Sequence, residues 1–199
     1  MKRLFGWVVL IALVVFGVSY VTSHWPTDAR FGCGQTATAA VAHADTADCP
    51  ASVGAADNDA TWAQARLATI RRLGDPTDGL FYDKDGHETH YTSARNADSD
   101  TALRVGRAAG VFPATGRPNI VDHVEVKAAA AMRAAGVRQG VMVINYPGGP
   151  CAQDQNGDVR PASCLAIVSR LLPAGASLVV WWPPRGGGPL QKTTFSAEG

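Results

Sequence analysis

The sequence predicts an α/β domain in which a mixed sheet, with a hairpin at one edge, carries helices on its faces. Three observations support this fold class. Two short strand-like runs flank an Asp85-Gly86 turn, which is a hairpin signal. Further along, helical and apolar strand-like segments alternate, as they do in layered α/β domains. The chain has 199 residues and is 46% hydrophobic, which suffices for one compact domain with additional segments.

The first half of the domain is predicted to contain a helix, the hairpin and a second, shorter helix. The expected elements are a helix over 61–72, hairpin strands at 79–82 and 87–92, and a helix over 101–109. Asn58 or Asp59 can cap the first helix, because their side-chain oxygens accept backbone N–H groups, and Gly74 can end it.

The second half alternates helices with apolar strands. The expected elements are a helix over 123–135, a strand at 141–144, a helix over 162–172, a strand at 177–182 and an edge strand at 192–195. Alanine dominates the first of these helices and Gly136 closes it, which fits the helix propensity of alanine and the preference for glycine after a helix. Pro173 ends the second helix.

The N-terminus carries a different signal. Lys2 and Arg3 precede an uncharged apolar run over 4–21, which is typical of a secretory signal peptide or a signal-anchor helix over 1–23. Because the positive flank stays in the cytoplasm, the rest of the chain is expected outside it, either secreted or anchored to the membrane through residues 4–21. A buried core helix is the alternative. Residues 24–57 are low in complexity and predict a linker, which leaves 58–199 as the folded domain.

Charge gives little information about partners. The formal net charge is +1, and from Ala60 to Gly199 fifteen basic residues stand against twelve acidic ones. This modest excess is compatible with a phosphate-bearing partner. It falls short of the basic stripe that would by itself indicate a nucleic-acid-binding protein.

Four cysteines lie in a chain that is predicted to leave the cytoplasm, where disulfides persist. We expect Cys33 and Cys49 to form one disulfide. Cys151 and Cys164 could form a second one, but their surroundings in the sequence also match a metal site.

Three segments carry the residues of this metal site. His123 and Glu125 open the alanine-rich helix, Cys151 follows Pro150 after the next strand, and Cys164 lies at the start of another helix. This pattern is typical of zinc-dependent nucleobase deaminases. One imidazole and two thiolates fill three positions of a tetrahedral zinc ion and leave the fourth for water. Glu125 is two residues from His123, so it can move protons while His123 binds the metal.

Each of these signals also has a structural interpretation. Asp122 and Glu125 match a capping box, in which Glu125 would only satisfy the helix terminus. Cys151 and Cys164 match a disulfide. The combination of all the residues in this order favours the zinc site.

Two further motifs are interpreted as structural. His87-Glu88-Thr89-His90 is one residue shorter than a metalloprotease motif, and its histidines face opposite sides of a strand-like run. We therefore expect a surface hairpin there. Residues 186–188 are three glycines that precede no helix, which predicts a flexible loop rather than a phosphate-binding loop.

Residues from about 79 to 183 resemble the DddA-like bacterial toxin deaminases, which act on cytosine in double-stranded DNA. The matching segments are the hairpin at 78–86, Tyr-Thr-Ser at 91–93, His-Val-Glu at 123–125, the small-residue helix to Gly136, the run at 143–147, and the closing helix and strand at 171–180. The resemblance implies a cytidine-deaminase-like fold and a zinc ion bound by His123, Cys151 and Cys164. It also implies Glu125 as the proton shuttle and cytosine in DNA as the substrate.

The same resemblance implies that Tyr91, Ser93 and Asn145 contact the substrate. Two departures from the family pattern affect this region. Ala94 replaces a glycine, and 12 residues separate Cys151 from Cys164 where the family has two. The longer segment is polar and contains an Asn-Gly turn, so it can loop out and return at a small additional entropic cost.

Together these features and the resemblance predict an exported, monomeric bacterial toxin that deaminates cytosine to uracil in DNA. Toxicity would in turn imply a cognate immunity protein, for which the sequence itself carries no signal. Two alternatives remain open. The same chemistry could act on RNA or on a free nucleoside. The chain could instead be a secreted, non-catalytic binding domain stabilised by disulfides.

Overall fold

The computed structural model describes residues 30–33, 49–70, 76–151 and 163–197. The predicted signal or anchor segment over 1–23 lies outside these ranges, as does the predicted helix stop at Gly74. Within them, no helix is both long enough and apolar enough to cross a membrane.

A five-stranded mixed sheet forms the centre of the fold. Its strands are β1 (Asp78–Tyr82), β2 (Glu88–Thr92), β3 (Gln139–Ile144), β4 (Ser177–Trp182) and β5 (Gln191–Ser196). They lie in the order β2-β1-β3-β4-β5. Only β3 and β4 pair in parallel, and the other neighbours are antiparallel. The predicted α/β class is confirmed, with a mixed sheet, the hairpin at one edge and β5 at the other.

Five α-helices accompany the sheet in the described part of the chain. They are α1 (Val53–Ala56), α2 (Ala60–Thr69), α3 (Ala97–Ala108), α4 (Val124–Ala135) and α5 (Cys164–Leu171). Asp59 caps α2 by accepting the Trp62 N–H at 2.9 Å, as predicted. Gly136 ends α4 in the left-handed conformation, with φ of 67°, which glycine adopts without a steric penalty.

Two helix boundaries differ from the prediction. Helix α3 begins at Ala97 rather than at residue 101, because Asn96 and Ser99 form a reciprocal capping box that adds a turn. Helix α5 begins at Cys164 rather than at residue 162, because the Ser163 hydroxyl accepts the Ala166 N–H and acts as its cap.

Successive side chains along each strand point to opposite faces of the sheet, which divides the core into two layers. In β3, Met142 and Ile144 pack with α4 and α5 in one cluster, while Val141 and Val143 pack with α2 in the other. This is the period-two pattern of a sheet that is covered on both faces. The predicted zinc ligands belong to the layer of α4 and α5.

Part of the segment predicted as a linker packs against the α2 face. Phe31 is 2% exposed and its ring lies 6.2 Å from that of Tyr82. The Trp62 indole donates to the Phe31 carbonyl at 3.0 Å. A disulfide joins Cys33 to Cys49, as predicted, and α1 follows it. These residues complete the apolar layer that α2 alone leaves open.

As pH rises from 5 to 7.5, the wild type is expected to lose free energy of unfolding through Asp57. We predict that Asp57→Asn makes this loss smaller. Burial raises the pKa of Asp57 to about 6, against the opposing charge of Lys192, and its buried Oδ1 has no hydrogen-bond partner. A pKa above the usual value of 3.8 means that the folded state favours the protonated carboxyl. That contribution is fully present below the usual pKa and is lost as pH rises through 6.

Urea unfolding of the wild type and of the variant at both pH values checks this, and the difference between the two proteins isolates Asp57 from other titrating groups. Equal pH dependence in both proteins would contradict the assignment.

Candidate metal centre and active site

The three predicted ligands come together from three different elements. His123 is the N-cap of α4, Cys164 is the first residue of α5, and Cys151 lies in the segment that follows β3. The His123 Nδ1 lies 3.2 Å from the Cys164 Sγ and 3.7 Å from the Cys151 Sγ. All three donor atoms lie within 4.8 Å of one another.

The two thiols in this group are free. Their sulfur atoms are 3.0 Å apart, well beyond the bond length of about 2.05 Å for a disulfide. Cys164 is fully buried, whereas Cys151 is exposed. The structure therefore has no disulfide here, and the three side chains form a group that could hold a metal ion.

The spacing of the donor atoms suits a tetrahedral zinc ion. Bonds of about 2.3 Å to sulfur and about 2.0 Å to nitrogen would place the sulfurs about 3.8 Å apart and each sulfur about 3.5 Å from the nitrogen. The observed distances run from 3.0 to 3.7 Å. Small side-chain rotations would accommodate the ion, so these residues fit zinc.

The surroundings of the site stabilise a thiolate at Cys151. The hydrogen bond with Cys164 lowers the pKa of Cys151 to about 4, although its partial burial opposes the shift. The Cys164 backbone N–H also donates to the Cys151 Sγ at 3.0 Å. This N–H belongs to the first residue of α5, where the helix dipole favours negative charge. The hydrogen bond with Cys151 in turn raises the pKa of His123.

Glu125 lies beside the donor group without belonging to it. Its Oε2 is 3.9 Å from the Cys164 Sγ, and the residue is 4% exposed. Burial raises the pKa of Glu125, which moves it towards the range where a carboxyl can accept and return a proton near neutral pH. This position suits a proton shuttle rather than a ligand.

The capping-box alternative for Glu125 does not occur. Helix α4 has His123 as its N-cap, with no side-chain capping bond. The Asp122 carboxylate instead accepts from Arg117 at 2.8 Å. Arg117 also donates to Asp100 and Ser99, so it ties the residue before His123 to helix α3.

A buried lysine holds the loop that contains Ser93. Lys127 is 2% exposed, and its Nζ donates to the carbonyl oxygens of Thr92 and Ala94 at 2.6 and 2.7 Å, and to the Asn96 side chain at 3.0 Å. Three bonds use all three protons of the ammonium group. The loop between β2 and α3 is therefore fixed to the helix that carries His123 and Glu125.

The three residues that were expected to contact the substrate lie in three different environments. Tyr91 is 6% exposed and packs beside Phe81, with the ring centroids 6.4 Å apart. Ser93 is half-buried in the loop that Lys127 holds. Asn145 is 1% exposed, and its Oδ1 accepts the Asp78 N–H at 2.9 Å, which joins the end of β3 to the start of β1.

Sequence reasoning missed the roles of Arg117 and Lys127. Arg117 lies in a Gly-Arg-Pro stretch without periodicity, and Lys127 was assigned only to the alanine-rich helix. A lysine that interrupts an otherwise small and apolar helix was the available signal, because a buried lysine requires partners.

The discounted histidine motif lies on the surface hairpin, as predicted. His87 and His90 are both exposed. Asp83, Asp85 and His87 also lie within 4.8 Å of one another. Within this turn, Asp83 Oδ1 accepts the N–H groups of Asp85 and His87 at 2.8 and 3.0 Å.

A layered α/β fold with a His/Cys/Cys donor group beside two helix N-termini, and a glutamate next to it, is the arrangement that zinc-dependent nucleobase deaminases share. Comparison with protein families agrees. A sequence model of the SCP1.201-like deaminase family matches residues 55–197, and the chain belongs to this family. No curated protein matches the chain.

We predict that the purified protein holds one zinc ion per chain and that Cys164→Ser lowers this content sharply. The change replaces a buried sulfur ligand by a hydroxyl that binds zinc weakly. Metal analysis after purification without chelators, with Cys33→Ser as the control for a cysteine outside the site, checks this. A zinc-free wild-type protein would contradict the assignment.

We also predict that Lys127→Met lowers the free energy of unfolding by about 1–3 kcal/mol, because it leaves buried carbonyl oxygens without a donor. Lys84→Met is the matched control, since the Lys84 side chain is 60% exposed. Urea unfolding of both variants measures the effect. The same stability in both variants would show that the three bonds of Lys127 contribute nothing.

Proposed function

We propose that the protein is a zinc-dependent hydrolytic deaminase that converts cytosine to uracil in DNA and acts as an exported bacterial toxin of the DddA-like subtype. The observation that carries this proposal is the donor group of His123, Cys151 and Cys164, with Glu125 buried beside it. The resemblance of His123-Val124-Glu125 and its helix to the DddA-like toxins supports cytosine in DNA as the substrate.

The reaction adds water to cytosine and releases ammonia, which leaves uracil. Zinc, when bound, acidifies a water molecule so that it can attack near neutral pH. His123, Cys151 and Cys164 would hold the ion. Glu125 accepts the two protons of the water in turn, the first as the oxygen attacks the ring carbon and the second from the resulting hydroxyl. It passes the first to the ring nitrogen and the second to the amine, which leaves as ammonia when the C–N bond breaks. Its burial excludes bulk water from this exchange.

The loops around the donor group orient the base in this proposal. Ser93 lies in the loop that Lys127 fixes to α4, and Asn145 lies where β3 ends. Both positions are tied to the sheet or to α4 by hydrogen bonds, so contacts from them would be preorganised before substrate binds.

Export and toxicity belong to the same proposal. Lys2, Arg3 and the apolar run over 4–21 support a signal peptide or a membrane anchor, which would place the deaminase domain outside the cytoplasm. A toxic deaminase requires a cognate immunity protein in the producing cell. We expect a monomer that reaches DNA after delivery into a target cell.

We predict that Glu125→Gln retains zinc and the fold but lowers turnover by about 10²–10⁴-fold, which is the usual contribution of a general acid–base group. The amide matches the carboxyl in shape but cannot accept the proton. Purified protein without residues 1–23 is incubated with double-stranded DNA, single-stranded DNA, RNA and cytidine, and uracil formation is measured for both proteins.

Uracil in DNA from the wild type alone would support the proposal. Activity on RNA or cytidine but not on DNA would favour the alternative substrates. A zinc-loaded wild type that deaminates none of the four would favour a non-catalytic binding domain. An active Glu125→Gln protein would contradict the role of the shuttle.

A further inference from the structure

The loop between β3 and Cys151 carries an exposed aromatic side chain. Tyr146 is 42% exposed, and no other large hydrophobic residue in the described ranges is classed as exposed. A single exposed aromatic residue is common on protein surfaces. The significance of Tyr146 depends on how firmly it is held and on what lies beside it.

The backbone that carries Tyr146 is pinned to the sheet. The Gly149 N–H donates to the Tyr146 carbonyl at 3.0 Å, which closes a tight turn. Gly149 has φ of 67°, and a Cβ atom built there would lie 2.5 Å from the Trp182 ring. Only glycine fits this contact, so the turn packs directly on β4. Tyr146 is therefore presented from a rigid support, five residues before Cys151.

An arginine side chain lies next to the Tyr146 ring. A Cβ atom built on Gly148 would lie 2.6 Å from Tyr146 Cε1 and 3.0 Å from Arg185 Nη2. The ring and the guanidinium group thus share one side of Gly148. Arg185 is exposed, and among the described residues no carboxylate forms an ion pair with it.

A cleft continues from this arginine. Its volume is about 410 Å³, and the residues that line it include Arg185, Asn145, Pro147, Leu67 and Leu190. Asn145 and Pro147 follow β3 in the same segment as Tyr146, so the cleft adjoins this segment on the side of the sheet that α2 covers.

We propose that Tyr146 and Arg185 form a contact surface for the nucleotide that flanks the target base in a DNA strand. This inference rests on the proposed function and specifies its substrate as a polynucleotide. An aromatic face stacks on any base, and a guanidinium group with no protein partner suits a backbone phosphate. A free nucleoside offers neither a neighbouring base nor a phosphodiester, so this surface would not assist its binding.

The test separates binding from turnover. Zinc-loaded Glu125→Gln protein, which binds without reacting, is the parent for each further substitution. Its affinity for a labelled double-stranded DNA 12-mer with one central target cytosine is measured by fluorescence anisotropy. Tyr146→Ala and Arg185→Gln are expected to weaken binding by about 5- to 100-fold each. Arg185→Gln should also reduce the salt dependence of binding by about one phosphate contact.

Matched variants control for nonspecific effects. Tyr146→Phe retains the ring and should bind like the parent protein. Arg138→Gln removes an exposed arginine directly before the opposite end of β3 and should also leave binding unchanged. In the active protein, Tyr146→Ala and Arg185→Gln should raise KM for the 12-mer with kcat and zinc content unchanged, and they should not alter KM for cytidine.

The two proposals fail in different ways. A wild type that deaminates the 12-mer, with unchanged binding in Tyr146→Ala and Arg185→Gln, would overturn the contact surface and leave the function intact. An equal loss of DNA affinity in Arg138→Gln would also overturn the contact surface, because the loss would then reflect the net charge of the protein and not the position of Arg185. A parent protein that binds the 12-mer through Tyr146 and Arg185 without any deamination would overturn the proposed function alone. A protein that does not bind the 12-mer would overturn this inference.

Discussion

The structure of the site depends on the meeting of two helix N-termini. Helix α4 begins directly after His123, and helix α5 begins at Cys164. The first N–H of α5 donates to the Cys151 sulfur at 3.0 Å. Each N-terminus carries partial positive charge, so thiolate ligands and a deprotonated nucleophile are favoured where the two converge. A displacement of either helix would separate the donor atoms.

The packing of the α4 and α5 layer fixes this convergence. The first seven residues of α4, from Val124 to Ala130, are all buried, and small side chains let the helix lie close to its neighbours. Ile167, Val168 and Leu171 from α5 join the same cluster. Because the side chains interlock at high density, a shift of one helix along the other would open cavities. Apolar packing of residues without chemical function therefore sets the distances between the donor atoms of the candidate metal centre.

Polar side chains then hold the loops that packing leaves undetermined. Lys127 binds three oxygens of the segment between β2 and α3, and Arg117 joins Asp122 to α3. Buried donors and acceptors are costly without partners, so each of these bonds strongly favours a single loop conformation. The price of such networks is low tolerance to substitution at positions that never touch substrate.

Local patterns account for what the sequence could predict. Strand β4 agrees with its prediction at both ends, and the Asp59 cap and the Asp85-Gly86 turn also match, because each depends on neighbouring residues alone. The sequence could indicate His123, Cys151 and Cys164, which the structure brings together, because the chemistry of zinc deaminases restricts the types and order of such residues. The packing of Phe31 was not, since a single aromatic residue in a polar segment has no periodicity to detect. The partners of Lys127 lie more than thirty residues away in the chain, beyond any local signal.

The asymmetric burial of the donor group determines from which side a substrate can approach it. Cys164 is fully buried and Glu125 is 4% exposed, whereas Cys151 is exposed. A ring that reaches the site must therefore pass the Cys151 side, because the core closes the side of Cys164. The turn that carries Tyr146 ends at Gly149, and only Pro150 separates it from Cys151 in the chain. In the proposed function, the loop that supplies the exposed sulfur therefore also carries the ring that contacts the flanking nucleotide, so substrate choice would depend on this turn as well as on the donor group.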